Sequence, residues 1–449
     1  MTYDNPTHSA PLDDAEGERL MRRILWRVVP FIFICYVISY LDRTNVGFAA
    51  ISMNKDLGLT ATMFGWAAGL FFFGYFIFEI PSNLLMQRFG ARIWIARIMI
   101  TWGLISMATA FATGPISFSI ARFLLGVAEA GFTPGVYLYF TYWFPGKWRA
   151  KATAAFLLGI PVANIVGSPL SGWLLEQHGV LGLQNWQLLL ITEALPAVLL
   201  GIACLFLLVD TPLKARWLSD REKTWLNNRL SEEQKSIGAS HGNTLRAALT
   251  NPKVFTLAAI NFCCIVGSVG IGIWLPQIVK SLGIPSGTLG FVVALPYIVG
   301  AIAMTLWARL ANQSSHRLPY VVSALAMAAT ALVAAAVTDH PVLKIAALCI
   351  AVASILSFQA TFWAIPSTFL TGRAAAGGLA MIVSIGNLGG FTGPFMIGLI
   401  KDSTHSYSMP FFAVAAILLT GMCLMVWLGD PARKKQIDAS RLAGDRRLG

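Results

Sequence analysis

Residues 27–50 read RVVPFIFICYVISYLDRTNVGFAA. The run is continuously apolar until it places an acid beside a base, Asp42 and Arg43, and then turns apolar again. About 20 apolar residues cross a bilayer as a helix, whereas a membrane strand alternates over about ten. A charge at the bilayer centre costs at least about 2.5–3.5 kcal/mol on insertion scales. The stretch therefore predicts a transmembrane helix whose two charges have a reason to be there.

Working outward, the same reading gives twelve spans, at about 27–50, 62–85, 93–113, 116–140, 150–175, 187–209, 254–279, 288–309, 318–338, 343–370, 375–400 and 409–429. Of the 449 residues, 56% are hydrophobic and 12% charged. A soluble domain carries about 25% charged residues, so this composition needs lipid as a solvent. The expected fold class is an all-α integral membrane protein, with twelve transmembrane helices in two six-helix bundles. The one long polar stretch, residues 210–251, reads as amphipathic helix and loop, with Trp217, Trp225 and Leu226 among charges. It divides the chain into a first bundle (1–209), a cytoplasmic central loop (210–251) and a second bundle with a basic tail (252–449). Two six-helix halves around a central site is a recurrent transporter plan.

The net charge of +12 does not point to nucleic acid. An even number of spans puts both termini on one side. That side collects Arg19, Arg22, Arg23, Arg27, Arg88, Arg92, Arg97, Lys147, Arg149 and the tail from Arg433, while the other holds Lys55, Lys280, Lys344 and Lys401. The positive-inside rule makes the termini cytoplasmic, and anionic headgroups explain the charge. The expected location is a bacterial inner membrane. The first 23 residues are polar and lack the apolar core of a signal peptide. The six cysteines fall in apolar spans without a CxxC, and no two histidines share a helical face, so neither disulfides nor a metal site is expected. No GxSxG, HExxH or GxxxxGK pattern marks an enzyme.

Six charges stand well inside spans: Asp42, Arg43, Glu79, Arg122, Glu129 and Glu193, all in the first half. The second half offers neutral Asn261, Gln277, Gln359, Ser384 and Asn387. Arg122 and Glu129, seven residues apart, share one helical face. Arg43 and Arg122 are expected to line a water-filled cavity, with Asp42 and Glu129 beside them. Guanidiniums bind carboxylates through paired hydrogen bonds, and partly dry carboxyls can take up protons, so these are the parts of a proton-coupled anion carrier. The bland alternative is that Asp42–Arg43 and Arg122–Glu129 are ion pairs that only lock helices together. Glu79, before Ile80-Pro81, reads as a gate or packing contact, and Glu193 as structural. Tyr40, Tyr75 and Trp363, the last placed in the middle of the tenth span, are the aromatic cavity candidates. Pro134, Pro161, Pro169, Pro296 and Pro394 are expected to kink their helices.

The chain resembles the major facilitator superfamily, and within it the anion:cation symporters that include bacterial phthalate, tartrate, hydroxyphenylacetate and sugar-acid permeases. The residues that carry this are Tyr40-Leu41-Asp42-Arg43-Thr44-Asn45, Gly74-Tyr75 through Glu79-Ile80-Pro81-Ser82-Asn83, Ala121-Arg122-Phe123 through Glu129-Ala130-Gly131, Tyr142-Trp143-Phe144-Pro145, and Asp210-Thr211-Pro212 with Ala215-Arg216-Trp217-Leu218. The resemblance implies proton handling at Asp42 and Glu129, substrate anchoring at Arg43 and Arg122, and pocket positions at Tyr40, Tyr75, Trp363 and Asn387. Two loops depart from the family. Gln87-Arg88-Phe89-Gly90 lacks the acid that usually precedes the arginine, and Ala311-Asn312-Gln313 replaces Ser-Asp-Arg. These changes remove charges that latch the halves on the cytoplasmic side, so a small energy difference between outward- and inward-open states is expected. The expected function is proton-coupled import of a small organic carboxylate by a monomer, with no cofactor beyond the coupling protons. An aromatic dicarboxylate such as phthalate comes first. Tartrate or a sugar acid, or an uncoupled facilitator or exchanger, stands as the alternative.

Overall fold

A computed structural model describes residues 12–177, 179–239, 251–314, 316–366 and 372–429. Residues 240–250 of the central loop and the tail from Arg433 lie outside the described residues. Twelve helical segments there are long and apolar enough to cross a membrane, and the described residues contain no strand. The first half comprises α1 (Asp14–Asp56), α2 (Ala61–Phe89), α3 (Ala91–Thr109), α4 (Pro115–Glu129), α5 (Phe132–Trp143), α6 (Gly146–Leu157), α7 (Gly159–Leu174) and α8 (Asn185–Leu207). After the amphipathic α9 (Asp220–Ala239) come α10 (Pro252–Ser281), α11 (Ser286–Gln313), α12 (Leu318–Val337), α13 (Pro341–Phe362), α14 (Gly372–Thr404) and α15 (Ser408–Leu428).

The fourth and fifth spans are each two helices. Between α4 and α5 the chain is extended at Ala130 and left-handed at Gly131 (φ 88°), a conformation that glycine adopts without a Cβ penalty. Pro134 then falls in the first turn of α5, where its missing N–H would have had no intrahelical partner. The sequence led us to expect a kink at Pro134; the break instead lies just before it and leaves Glu129 as the last residue of α4. The tenth span is also shorter than expected. α13 stops at Phe362, whose carbonyl would need an N–H from residue 366, and Pro366 has none.

Among the described residues, the two halves are joined at the end remote from the termini. Asp402 of α14 accepts hydrogen bonds from the backbone N–H groups of Ala61 (3.1 Å) and Thr62 (2.7 Å), at the N-terminus of α2. A carboxylate there satisfies orphan amides and faces the positive end of the helix dipole. Phe64 stands edge-on to Trp274, with centroids 5.1 Å apart. A Cβ at Gly172 would press on Gly290, and one at Gly47 on the Ile273 carbonyl, so these glycines let α7 approach α11 and α1 approach α10 at backbone distance.

At the other end the described contacts join the first half to α9. Arg23 pairs with Glu222 (2.6 Å), Arg221 with Glu16 (3.0 Å) and Arg149 with Glu233 (2.6 Å). Trp143 stacks on Trp217, and Leu226 is fully buried. Asp210 accepts from the Arg92 amide at the start of α3 (3.0 Å), so an acid does reach the loop where Gln87 stands in the acidic position.

Candidate functional site

The membrane-buried charges gather in the first half around α1. Glu129, fully buried at the break after α4, accepts from Ser39 Oγ (2.7 Å) and Arg43 Nε (2.8 Å) on the same oxygen, Oε1. Arg43 Nη2 lies 2.7 Å from that oxygen as well, too poorly aligned for a second hydrogen bond, and Oε2 has no partner. The guanidinium sits against the rings of Tyr75 (5.1 Å), Phe71 (5.6 Å) and Tyr40 (5.7 Å), which offer their π faces to the cation.

Asp42 points away from Arg43, as neighbours on a helix must. It is fully buried, accepts from Ser106 of α3 and from Asn45 (3.3 Å), and leaves Oδ2 unpartnered. Glu193 of α8 accepts from Ser171 of α7 (2.6 Å), with Oε2 unpartnered. Arg122 is 2% exposed and lies over Phe71 (5.1 Å). It makes no ion pair within 4 Å among the described residues, and its Nε and Nη2 have no hydrogen-bond partner.

The alternative pairing and one expectation, Arg122 on the cavity wall, are corrected here. The ion pair that forms is Arg43–Glu129, rather than Asp42–Arg43 or Arg122–Glu129. The break after Glu129 ends α4, and Arg43 on α1 is there to take up the carboxylate. Arg122 does not line the central cavity in this conformation, because it is packed inside the first half. That cavity, of about 60 Å³, is lined by Tyr40, Arg43, Thr44, Phe72, Ile160 and Asn164 from the first half. From the second half it is lined by α10 between Gly267 and Ile273, Tyr297, Val352, Ile355 and Leu356. At about 10–15 Å³ each it has room for a handful of waters.

The remaining candidates divide. Tyr40 lines the cavity and Tyr75 is buried beneath Arg43. Glu79 is buried, with its Oε2 unpartnered, and Asn387 of α14 lies near it across the halves. Trp363 is corrected: it follows the last residue of α13, 36% exposed and edge-on to Phe362, not in mid-span. Arg88 is exposed beside its neighbour Phe89 (5.7 Å). Sequence reasoning missed Ser39, Ser106 and Ser171, which serve the buried carboxylates. Serine in an apolar span gives little signal, since its hydroxyl can satisfy itself on a carbonyl of the preceding turn. Asn45 and Asn164 were more visible, as amides in apolar runs.

The sequence matches the Major Facilitator Superfamily over residues 32–394 and 257–446. Two Agrobacterium vitis proteins, each named "Putative tartrate transporter", are 47% and 46% identical to it, over 93% and 92% of this chain and 92% and 95% of their own. A "Quinolone resistance transporter" from Acinetobacter baumannii is 40% identical over 90% of this chain and 94% of its own. The inward open xylose transporter XylE from E. coli shares the fold, with a TM-score of 0.74 over 90% of this chain and 96% of that one, at 13% identity.

Proposed function

We propose that this chain, which belongs to the Major Facilitator Superfamily, imports a small hydroxylated carboxylate such as tartrate in symport with protons. It is a multi-pass membrane carrier of the secondary-transporter type; the substrate, the coupling and a bacterial inner-membrane location with cytoplasmic termini are our reading. The contact that carries the reading is Arg43–Glu129. Arg43 is the cation on the cavity wall, and an internal carboxylate already occupies it. A substrate carboxylate must compete with Glu129 for the guanidinium. A proton on Glu129 removes that competitor, so proton and substrate each favour the other's binding, which is the requirement for coupling. Asp42 stands as the second proton site, and Arg122 as the cation that either takes a second carboxylate or balances Asp42 when the halves rock.

The handful of waters the cavity admits is less than a four-carbon diacid needs, so binding requires the halves to part. With the remote end held by Asp402 and its neighbours, the halves would part on the side of the termini. We read that as the cytoplasmic side and the conformation as inward-facing. The names of the Agrobacterium relatives favour tartrate over phthalate. Phthalate is the second reading, favoured by Tyr40, Phe72 and Tyr297 on the cavity wall.

The test is uptake of labelled tartrate and labelled phthalate into proteoliposomes, with and without an inward proton gradient. Accumulation of tartrate that needs the gradient, and is lost in Asp42→Asn and Glu129→Gln, is the expected result. Uptake that equilibrates and ignores the gradient would leave an uncoupled facilitator or exchanger. Phthalate uptake without tartrate uptake would replace the substrate.

A further inference from the structure

The cavity wall supplied by the second half bears no charge, yet two of its hydroxyl groups are set to act on a ligand. Ser268 of α10 accepts a hydrogen bond from the side-chain amide of Gln359 on α13 (3.3 Å). A serine oxygen that accepts in this way keeps its own O–H for a further acceptor. Ser268 faces the cavity, so that acceptor is whatever fills it. Tyr297 of α11 lines the same space, with its ring buried and its hydroxyl bonded to no protein group among the described residues. The nearest atom that a side chain at Gly272 would meet is this hydroxyl, at 3.3 Å, so α10 leaves the space in front of it empty.

The first-half wall is more committed. Thr44 spends its O–H on the carbonyls of Leu41 (3.1 Å) and Tyr40 (3.2 Å), and Asn164 donates to the Ile160 carbonyl (2.9 Å). Apart from Arg43, the first half therefore offers the Tyr40 hydroxyl and one remaining N–H of Asn164, and the second half offers the hydroxyls of Ser268 and Tyr297. A ligand with one carboxylate on Arg43 meets neutral O–H groups at its far side and no second cation there. Neutral hydroxyls both donate and accept, which suits an alcohol better than a second anion.

We propose that Ser268, oriented by Gln359, and Tyr297 form a hydroxyl-recognition wall that selects hydroxy acids over the same acids without hydroxyls. The inference rests on the carboxylate reading above and adds to it the group that discriminates. A site built to bond a substrate hydroxyl penalises the analogue lacking it, because its own polar groups are then left unpaired.

The experiment is inhibition of labelled tartrate uptake by unlabelled tartrate and by succinate, the same four-carbon diacid without hydroxyls. It is run on the full chain in proteoliposomes for the wild type, Ser268→Ala, Ser268→Thr and Tyr297→Phe. The wild type is expected to prefer tartrate by roughly tenfold or more. Ser268→Ala and Tyr297→Phe should each narrow that preference about fivefold, the scale of one hydrogen bond, by weakening tartrate and leaving succinate alone. Ser268→Thr, which keeps the hydroxyl, should hold the wild-type preference. Should Ser268→Ala be recovered unfolded, the near-isosteric Tyr297→Phe carries the test. An unchanged preference in folded variants, or equal weakening of both acids, overturns the wall and leaves the transport reading standing. A wild type that moves phthalate and neither four-carbon acid overturns the substrate reading and the wall with it.

Discussion

The first six spans hold Asp42, Arg43, Glu79, Arg122, Glu129 and Glu193, all but Arg43 buried, whereas the last six face the cavity with hydroxyls and aliphatic side chains. One half carries the charge chemistry, and the other carries shape and neutral hydrogen bonding. The contrast has a physical reason. A buried charge costs least when opposite charges and hydrogen-bonding groups lie near it, so charges are least costly when clustered. Separating them over two bodies that rock against each other would strip each charge of its partners once per cycle. The Arg43–Glu129 pair lies wholly within the first half and can persist through such motion.

The largest expected effect comes from breaking that pair. Arg43→Ala removes the cavity cation and leaves Glu129 buried without it, a loss of about 2–5 kcal/mol in comparable buried pairs. Uptake should fall below detection, and thermal stability should fall with it. Persistent uptake would mean that binding is not organised by the first half. Glu129→Gln frees the guanidinium while keeping an acceptor for Ser39. We expect substrate exchange to survive and accumulation driven by a proton gradient to disappear, as measured by counterflow against gradient-driven uptake.

Glu193 sharpens the contrast, because it tests whether every buried acid of the first half takes part. Glu193→Gln keeps an acceptor for Ser171 and is expected to transport almost as the wild type does. Glu193→Ala leaves Ser171 unpaired and should cost about 1–3 kcal/mol in thermal unfolding. A Glu193→Gln variant that folds but fails to accumulate substrate would make this residue a third proton site. Asp402→Ala removes a helix-capping carboxylate worth about 0.5–2 kcal/mol from the remote end. Spin labels on the 57–60 and 405–407 loops should report a larger population of long distances. No change would place the closing energy in the packing of Phe64 and Trp274. The smallest effect is expected at α9, where Arg149→Ala breaks a half-exposed pair with Glu233 and should cost about 0.2–1 kcal/mol.

The span count and the inventory of buried charges were legible because lipid punishes polar groups wherever they fall in the chain. Asp42 or Glu129 stands out in its apolar run without any neighbour being known. Helix length was less legible. Pro366 sets the end of α13 and leaves Trp363 outside the helix, which a continuous apolar reading through residue 370 passes over. Partner choice was legible only as the grouping of Asp42 and Glu129 with the two arginines. Arg122 and Glu129 share a helical period, but the backbone break after Glu129 and the approach of α1 hand the carboxylate to Arg43.

By itself, then, the sequence determined that this chain crosses a membrane twelve times and which of its residues need a partner inside it, since hydropathy and burial cost depend on composition along the chain. The tertiary structure alone decided who those partners are. It put Ser39 and Arg43 on Glu129 and Ser106 on Asp42, shut Arg122 away from the cavity, and brought Asp402 to the start of α2. Each of these contacts joins residues far apart in sequence, and hydrogen bonds act over about 3 Å, a distance that only packed helices bring about.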